Sequence, residues 1–334
     1  MNPYTHPTSA IGLDVGTSRI VAAHRQDKEV SCQTQLNAFV TIPYTKLTEG
    51  VLKKERIPHL VRESEITVYG DESERFANLF HKETRRPMLR GVLNNEEAGS
   101  LGLVREIVKL LTGEQKGHGQ KLCFSVPAPP LGADAEVRSH EAQLTAMLNE
   151  LGYESRPISE GLAVVYGEME NSNYTGIGIS CGGGLCNVCL AYLTVPVFSF
   201  SIPKAGDYID STVARLRGEP ATRIRTIKEE SFHFNGHFTN KIHQDLSASY
   251  EDMIQALVAA LKDTCASVEN MPKLSRPIPL VLCGGSAVVP GFRDRFEKTL
   301  REIELPVPIS EVRLGVNPMH STAKGALVAA LSEM

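Results

Sequence analysis

Three turns in this sequence join glycines to hydroxyl side chains, and each follows an apolar stretch. They are IGLDVGTS at 11–18, ISCGGGL at 179–185 and LCGGSAVVPG at 282–291. Glycine lets backbone N–H groups come close to an anion and converge on it. Thr17 and Ser18 can add hydroxyl donors. Asp14 cannot bind a phosphate directly, but a carboxylate can hold the water shell of Mg²⁺. One such turn alone is more often an ordinary hairpin or strand–helix junction. Three of them, in this order and each behind a strand-like run, point to a phosphate-binding cleft. The sequence has no GxxxxGK and no GxGxxG at a strand-to-helix turn, so P-loop and Rossmann chemistry lack support.

Two other patterns could carry chemistry. Cys181, Cys186 and Cys189 are spaced C-x4-C-x2-C. Thiolate metal sites need ligands that converge, and side chains along a strand–turn–strand point alternately apart. Buried small-residue packing is the favoured reading. Lys82, Arg85, Arg86 and Arg90 form one basic cluster, and Arg215, Arg217, Arg223 and Arg225 another. Glu83 and Glu219 interrupt them, which favours a solvated face over a membrane or filament contact.

The elements that must position these turns alternate in type. Residues 11–23 read as strand, turn, strand, with 39–44 and 66–69 as further short strands. Apolar positions in 101–112 fit a helix with a broad buried face. A strand at 122–126 ends in prolines, and a helix covers 135–151, stopped by Gly152. The second half repeats this logic. Strands are predicted at 175–180, 185–193, 195–202 and 279–282, and helices at 208–216, 250–268, 293–301 and 321–331. Two α/β domains on one plan is the economical expectation, with a boundary between 159 and 174.

Composition agrees with a globular chain. There are 334 residues, 42% hydrophobic and 22% charged, enough for roughly two domains. The net charge of −4 gives no basic footprint for nucleic acid. No stretch is apolar for long enough to span a membrane. Residues 1–10 show no secretory pattern, and Pro3 and Pro7 bar an amphipathic helix there. Seven cysteines without a secretory signal lead us to expect reduced thiols and a cytoplasmic location.

The three turns, with the segments KAGDYID at 204–210, TIKEE at 226–230 and AKGA at 323–326, resemble the actin-like ATPases. The likeness is greatest to bacterial actins of the MreB and MamK type, and RRPMLRGV at 85–92 is similar to a related segment there. It covers nearly the whole chain in order. The resemblance implies two actin/Hsp70-like (ribonuclease H-like) domains with a nucleotide cleft between them. Domain I would cover 1–160, with a small subdomain inserted at about 40–95. Domain II would cover 161–334, with a final segment from about 317 returning to domain I. The stretch between Glu230 and Tyr250 is short, so the fourth subdomain, at about 218–250, is expected to be reduced.

The resemblance also implies ATP or ADP with Mg²⁺ as cofactors. Asp14 would hold the metal through water. Gly16, Thr17, Ser18, Gly182, Gly183 and Gly184 would cradle phosphates. Lys228 and Glu229 would meet the ribose or base, and Gly284, Gly285 and Ser286 would line the adenosine side. The water-activating position falls near His140 and Glu141, on a helix that must show a polar face in any case. The implied partner is the protein itself, in a homopolymer filament; a membrane-associated partner is allowed and nucleic acid is not. A non-polymerising adaptor or an Hsp70-like chaperone-type module on the same fold is the alternative. Four departures stand out: Ser180 where the family has Asp, Leu185 for Thr, Asn187 for Glu or His, and Glu160-Gly161 for Glu-Pro. The uncharged Ser180 implies slow or absent hydrolysis, raised when Asp is restored there; the alternative is that another acid, Glu160 or Asp207, has taken over the metal role and leaves the rate ordinary.

Overall fold

The computed structural model describes residues 10–26, 29–113, 119–130, 135–234, 236, 238, 240–269, 271–274 and 276–332. The expectation for residues 1–9 lies outside this set. The chain opens with β1 (Ile11–Val15), β2 (Arg19–Gln26) and β3 (Glu29–Leu36). An inserted unit follows: β4 (Phe39–Pro43), α1 (Lys46–Lys54), β5 (His59–Arg62), β6 (Glu65–Tyr69), α2 (Glu72–Leu79), and a hairpin of β7 (Met88–Leu89) and β8 (Val92–Leu93). Then come α3 (Ser100–Thr112), β9 (Gln120–Val126), α4 (Ala135–Glu150), β10 (Tyr153–Ser159) and α5 (Glu160–Glu168). The later half holds β11 (Gly176–Cys181), β12 (Cys186–Tyr192), β13 (Val195–Ile202), α6 (Gly206–Arg217), α7 (Ala221–Glu230) and α8 (Lys241–Ser267). It ends with β14 (Ile278–Cys283), α9 (Phe292–Arg301), β15 (Ile309–Leu314) and α10 (Ser321–Leu331).

The two large sheets have one topology. The first runs β3-β2-β1-β9-β10 and the second β13-β12-β11-β14-β15. In each, the opening strand pairs antiparallel with the next and parallel with the later one. Central β1 and β11 are buried along nearly their whole length, as strands covered on both faces must be. The fold is therefore the duplicated α/β architecture expected of actin-like proteins.

Local sequence explains the helices that cover these sheets. In α3 the buried Leu103, Val104, Ile107, Val108 and Leu111 follow the helical period and meet Leu13, Phe124 and Leu144 in the first core. In α8, Leu246, Tyr250, Met253, Ile254, Leu257 and Leu261 do the same for the second. That helix starts nine residues before the expected position 250. Asn240 caps it, its side chain accepting from the Ile242 N–H at 2.8 Å. Between 218 and 240 the described residues contain α7 and no strand, so the fourth subdomain is reduced to little more than a helix. The inserted unit gains α1, β5 and α2 beyond the two strands expected, around a small core of Val40, Ile42, Leu52, Ile66, Val68 and Phe76.

Helices α5 and α10 lie at the junction of the two halves. Ala163 of α5 packs with Ala323, Ala326 and Leu327 of α10 on the first sheet. Val164 and Val165 turn to Cys189 and Val281 of the second. The backbones touch. A Cβ on Gly325 would fall 1.7 Å from the Ala163 carbonyl oxygen, and one on Gly12 of β1 would fall 2.1 Å from that of Ala323. Both neighbours are main chain and cannot swing aside. Gly325→Ala is therefore expected to cost about 3 kcal/mol, the upper range for overpacking. Gly50→Ala in α1, where nothing lies within 4 Å, is expected to stabilise by about 0.5 kcal/mol. Urea unfolding of both variants measures the contrast.

Candidate functional site

The three glycine turns meet. They line one cavity of about 390 Å³ between the halves, and all of Asp14, Gly16, Thr17, Ser18, Gly182, Gly183, Gly184, Lys228, Glu229, Gly284, Gly285 and Ser286 border it. The turn after β1 is tied by the Gly16 N–H to the Arg19 carbonyl at 3.0 Å. The turn after β11 is closed by the Gly182 N–H on the Leu185 carbonyl, also at 3.0 Å. The third turn joins the second through the Ser286 hydroxyl, which donates to the Gly182 carbonyl at 2.9 Å. The first two turns face each other. A Cβ on Gly183 would lie 2.2 Å from Ser18 Oγ, and one on Gly184 would lie 2.4 Å from Thr17 Oγ1. Any larger residue would fill the gap between the turns. The β7–β8 hairpin lies against them, its Gly91 N–H donating to Thr17 Oγ1 at 2.9 Å.

Two carboxylates stand at this end of the cavity. Ser125 Oγ donates to Asp14 Oδ1 at 2.7 Å and accepts from the Val15 N–H at 3.0 Å, which fixes the carboxylate at the end of β1. Burial raises the Asp14 carboxyl to about 6 despite that bond. Glu160 opens α5, and its Oε2 accepts from the Ser180 hydroxyl at 3.0 Å. Burial, and then the Asp14 charge beside it, raise Glu160 to about 8. Position 180 supplies no carboxylate of its own; its hydroxyl is bonded to Glu160, which also borders the cavity. Of the two acids that the sequence offers in place of the absent Asp, Glu160 bonds Ser180, while Asp207 also borders the cavity and is paired with Arg86.

Other side chains behave differently from expectation. Lys228 borders the cavity, but it is buried and its ammonium pairs with Asp210 at 2.8 Å and reaches the Gly206 carbonyl at 3.3 Å. Burial nonetheless raises the Asp210 carboxyl. His140 and Glu141 do not border the cavity. Helix α4 packs on β10 and β8, and His140 is buried beneath the hairpin, its Nδ1 accepting from the Leu93 N–H at 3.2 Å. Burial pushes its imidazole down to about 4. The basic clusters are not plain solvated faces either. Arg86 pairs with Asp207 at 2.6 Å and Arg225 with Glu74 at 2.6 Å, each bond crossing between the halves. No local spacing marks these partners, since 121 and 151 positions separate them.

The cysteines form no metal site. Cys181 and Cys186 sit opposite each other across β11 and β12 in the second core, while Cys189 faces the α5 side. None of the seven is bridged to another cysteine, and among the described residues no three His, Cys, Asp or Glu side chains gather to hold a metal.

This pairing of turns across duplicated sheets can be set beside known proteins. The profile of the Volactin family matches residues 9–330. The chain belongs to the Volactin family. Its fold is shared by a MamK double helical filament, at TM-score 0.72 and 19% identity over 98% of this chain and 99% of that one. It is also shared by MreB5 of Spiroplasma citri bound to AMPPNP, at TM-score 0.69 and 15% identity over 99% and 98%. A third likeness is to ethanolamine utilization protein EutJ from Carboxydothermus hydrogenoformans, at TM-score 0.57 and 14% identity over 98% and 91%. No curated protein sequence matches. This Volactin-family chain is therefore actin-like in fold.

The carboxylate pair has a consequence for stability. Folded Glu160 and Asp14 hold protons at pH values where the unfolded chain has lost them. Their contribution is fully present below about pH 4 and is lost as pH rises through about 6 and then 8. Glu160→Gln removes the larger part of this dependence. Thermal melting between pH 4.5 and 8.5 is expected to show wild type losing ground to Glu160→Gln as pH rises.

Proposed function

We propose that this protein binds an adenine nucleotide with Mg²⁺ in the cavity, assembles into nucleotide-dependent filaments and hydrolyses the nucleotide slowly. The observation that carries the binding step is the opposition of two glycine–hydroxyl turns across one cavity, with two carboxylates at their roots. The donor set fits the ion: Mg²⁺ keeps several waters and is commonly held by one or two carboxylates and the substrate's phosphates. Asp14 would hold it through its water shell, and it would neutralise charge on the phosphates. The nucleotides named with relatives, AMPPNP and ADP, support the adenine class. The filament named with MamK supports self-assembly. Among the described residues no helix is long and apolar enough to cross a membrane; the cytoplasmic location is part of this proposal and rests on the reduced-thiol reading of the cysteines.

The roles follow from position. The N–H groups that follow Gly16 and Gly182 in the two turns would receive the phosphates, helped by the Thr17 and Ser18 hydroxyls, since the Gly16 and Gly182 N–H groups close the turns themselves. The apolar Val288, Val289, Pro290 and Met319, with Gly284, Gly285 and Ser286, would line the adenosine end. Lys228 would act mainly on Asp210 and hold α7 against α6, leaving Glu229 nearer the ribose or base. Glu160 would take the proton of an attacking water, a step better suited to a carboxyl poised near neutrality than to an ordinary one. At about 8 it is largely protonated in neutral solution, which keeps turnover slow. Restoring Asp at 180 would crowd a third carboxylate against Asp14 and Glu160, so Ser180→Asp is no longer expected to raise the rate.

The reduced region between 218 and 240 favours a second reading, a nucleotide-binding protein that stays monomeric. Sedimentation with and without ATP–Mg²⁺, followed by imaging of the pellet, separates the two. Filaments only with nucleotide support assembly, and monomers at high concentration with saturating nucleotide support the second reading. For turnover, Glu160→Gln is expected to lower phosphate release about a hundredfold, with ADP affinity within a few fold of wild type.

A further inference from the structure

We infer that Arg19, which belongs to none of the sequence motifs, is the cation that reads the phosphate chain in this cavity. The inference rests on the cavity being the nucleotide site. Three basic side chains border the cavity among the described residues: Arg19, Arg225 and Lys228. Two are committed elsewhere. Arg225 pairs with Glu74 at 2.6 Å with its side chain 15% exposed, and Lys228 pairs with Asp210 at 2.8 Å at 6%. Arg86 beside them is held by Asp207 at 2.6 Å.

Arg19 is held differently. Among the described residues its ionic contact is with Glu229, at 4.0 Å, and both side chains are open to solvent, at 37% and 53%. An exposed pair at that separation is worth under about 1 kcal/mol, so a better acceptor displaces it readily. The backbone of Arg19 is fixed to the first phosphate turn, because its carbonyl receives the Gly16 N–H. The guanidinium therefore starts beside the place where Gly16, Thr17 and Ser18 converge, with Glu229 of α7 as its resting partner across the cleft. A guanidinium can offer phosphate oxygens two parallel N–H bonds, and its charge does not titrate. The phosphates need such a group, since Asp14 adds negative charge to the cavity and the other bordering cations are paired locally.

The test compares ligands with and without phosphate on Arg19→Gln and Arg19→Lys, using titration calorimetry with ADP and with adenosine. Displacement of a fluorescent ADP by pyrophosphate gives the phosphate contribution directly. Arg19→Gln is expected to weaken ADP and pyrophosphate about tenfold, to leave adenosine within twofold, and to be partly rescued by Lys. Equal weakening of ADP and adenosine would overturn the inference, assigning Arg19 to closing the cleft on Glu229. Unchanged ADP and pyrophosphate affinities would overturn it as well. Wild type that binds neither ADP nor pyrophosphate would instead remove the nucleotide reading itself.

Discussion

The main chains of β1, α10 and α5 touch, and the geometry of the cavity is built outward from that contact. Gly12 and Gly325 are the points of closest approach, and no side chain stands between the backbones there. Two residues beyond Gly12, on the same strand, is Asp14; at the first turn of α5, three residues before Ala163, is Glu160. Both acids are thus carried on backbone that the crossing holds in place. Buried beside the Asp14 charge, Glu160 holds its proton more tightly.

Much of this frame was legible in the sequence because central strands are apolar and glycine turns are rare. The β1 and β11 turns announced themselves by composition, and so did the buried stripes of α3 and most of α8. What could not be read was polar. Edge strands β3 (EVSCQTQL), β10 (YESRPIS) and β15 (ISEVRL) face solvent on one side and carry charged or hydroxylated residues that mimic loops. The start of α8 was hidden because Asn240 and its neighbours are polar and the apolar stripe thins out there. His140 and Glu141 looked suited to chemistry by type. Only the packing of α4 beneath the hairpin shows that one of them is interior and that neither reaches the cavity.

The cations tell the same story from the other side. Sequence can count arginines but cannot say which are already spoken for. Arg86 and Arg225 sit in basic runs that suggested a loose, solvated surface, yet each reaches a carboxylate in the opposite half. Lys228 carried the expectation of ligand contact from its motif, and its burial with Asp210 makes it a brace between α6 and α7. Long-range partnership of this kind has no local signature, because the partners come together only after both sheets have formed.

The outer strands bear on how copies of this chain can meet. β10 contains Pro157 and β13 contains Pro196, and a proline withholds the donor that an added strand would need. β3 and β15 present Glu29, Glu311 and Arg313 along the remaining margins. Charged and proline-bearing margins discourage strand addition, the route by which sheets fuse into cross-β aggregates. Association between copies therefore falls to side-chain surfaces. Contacts of that kind come apart without breaking a ladder of main-chain hydrogen bonds, so copies that met through them would separate with every subunit still folded.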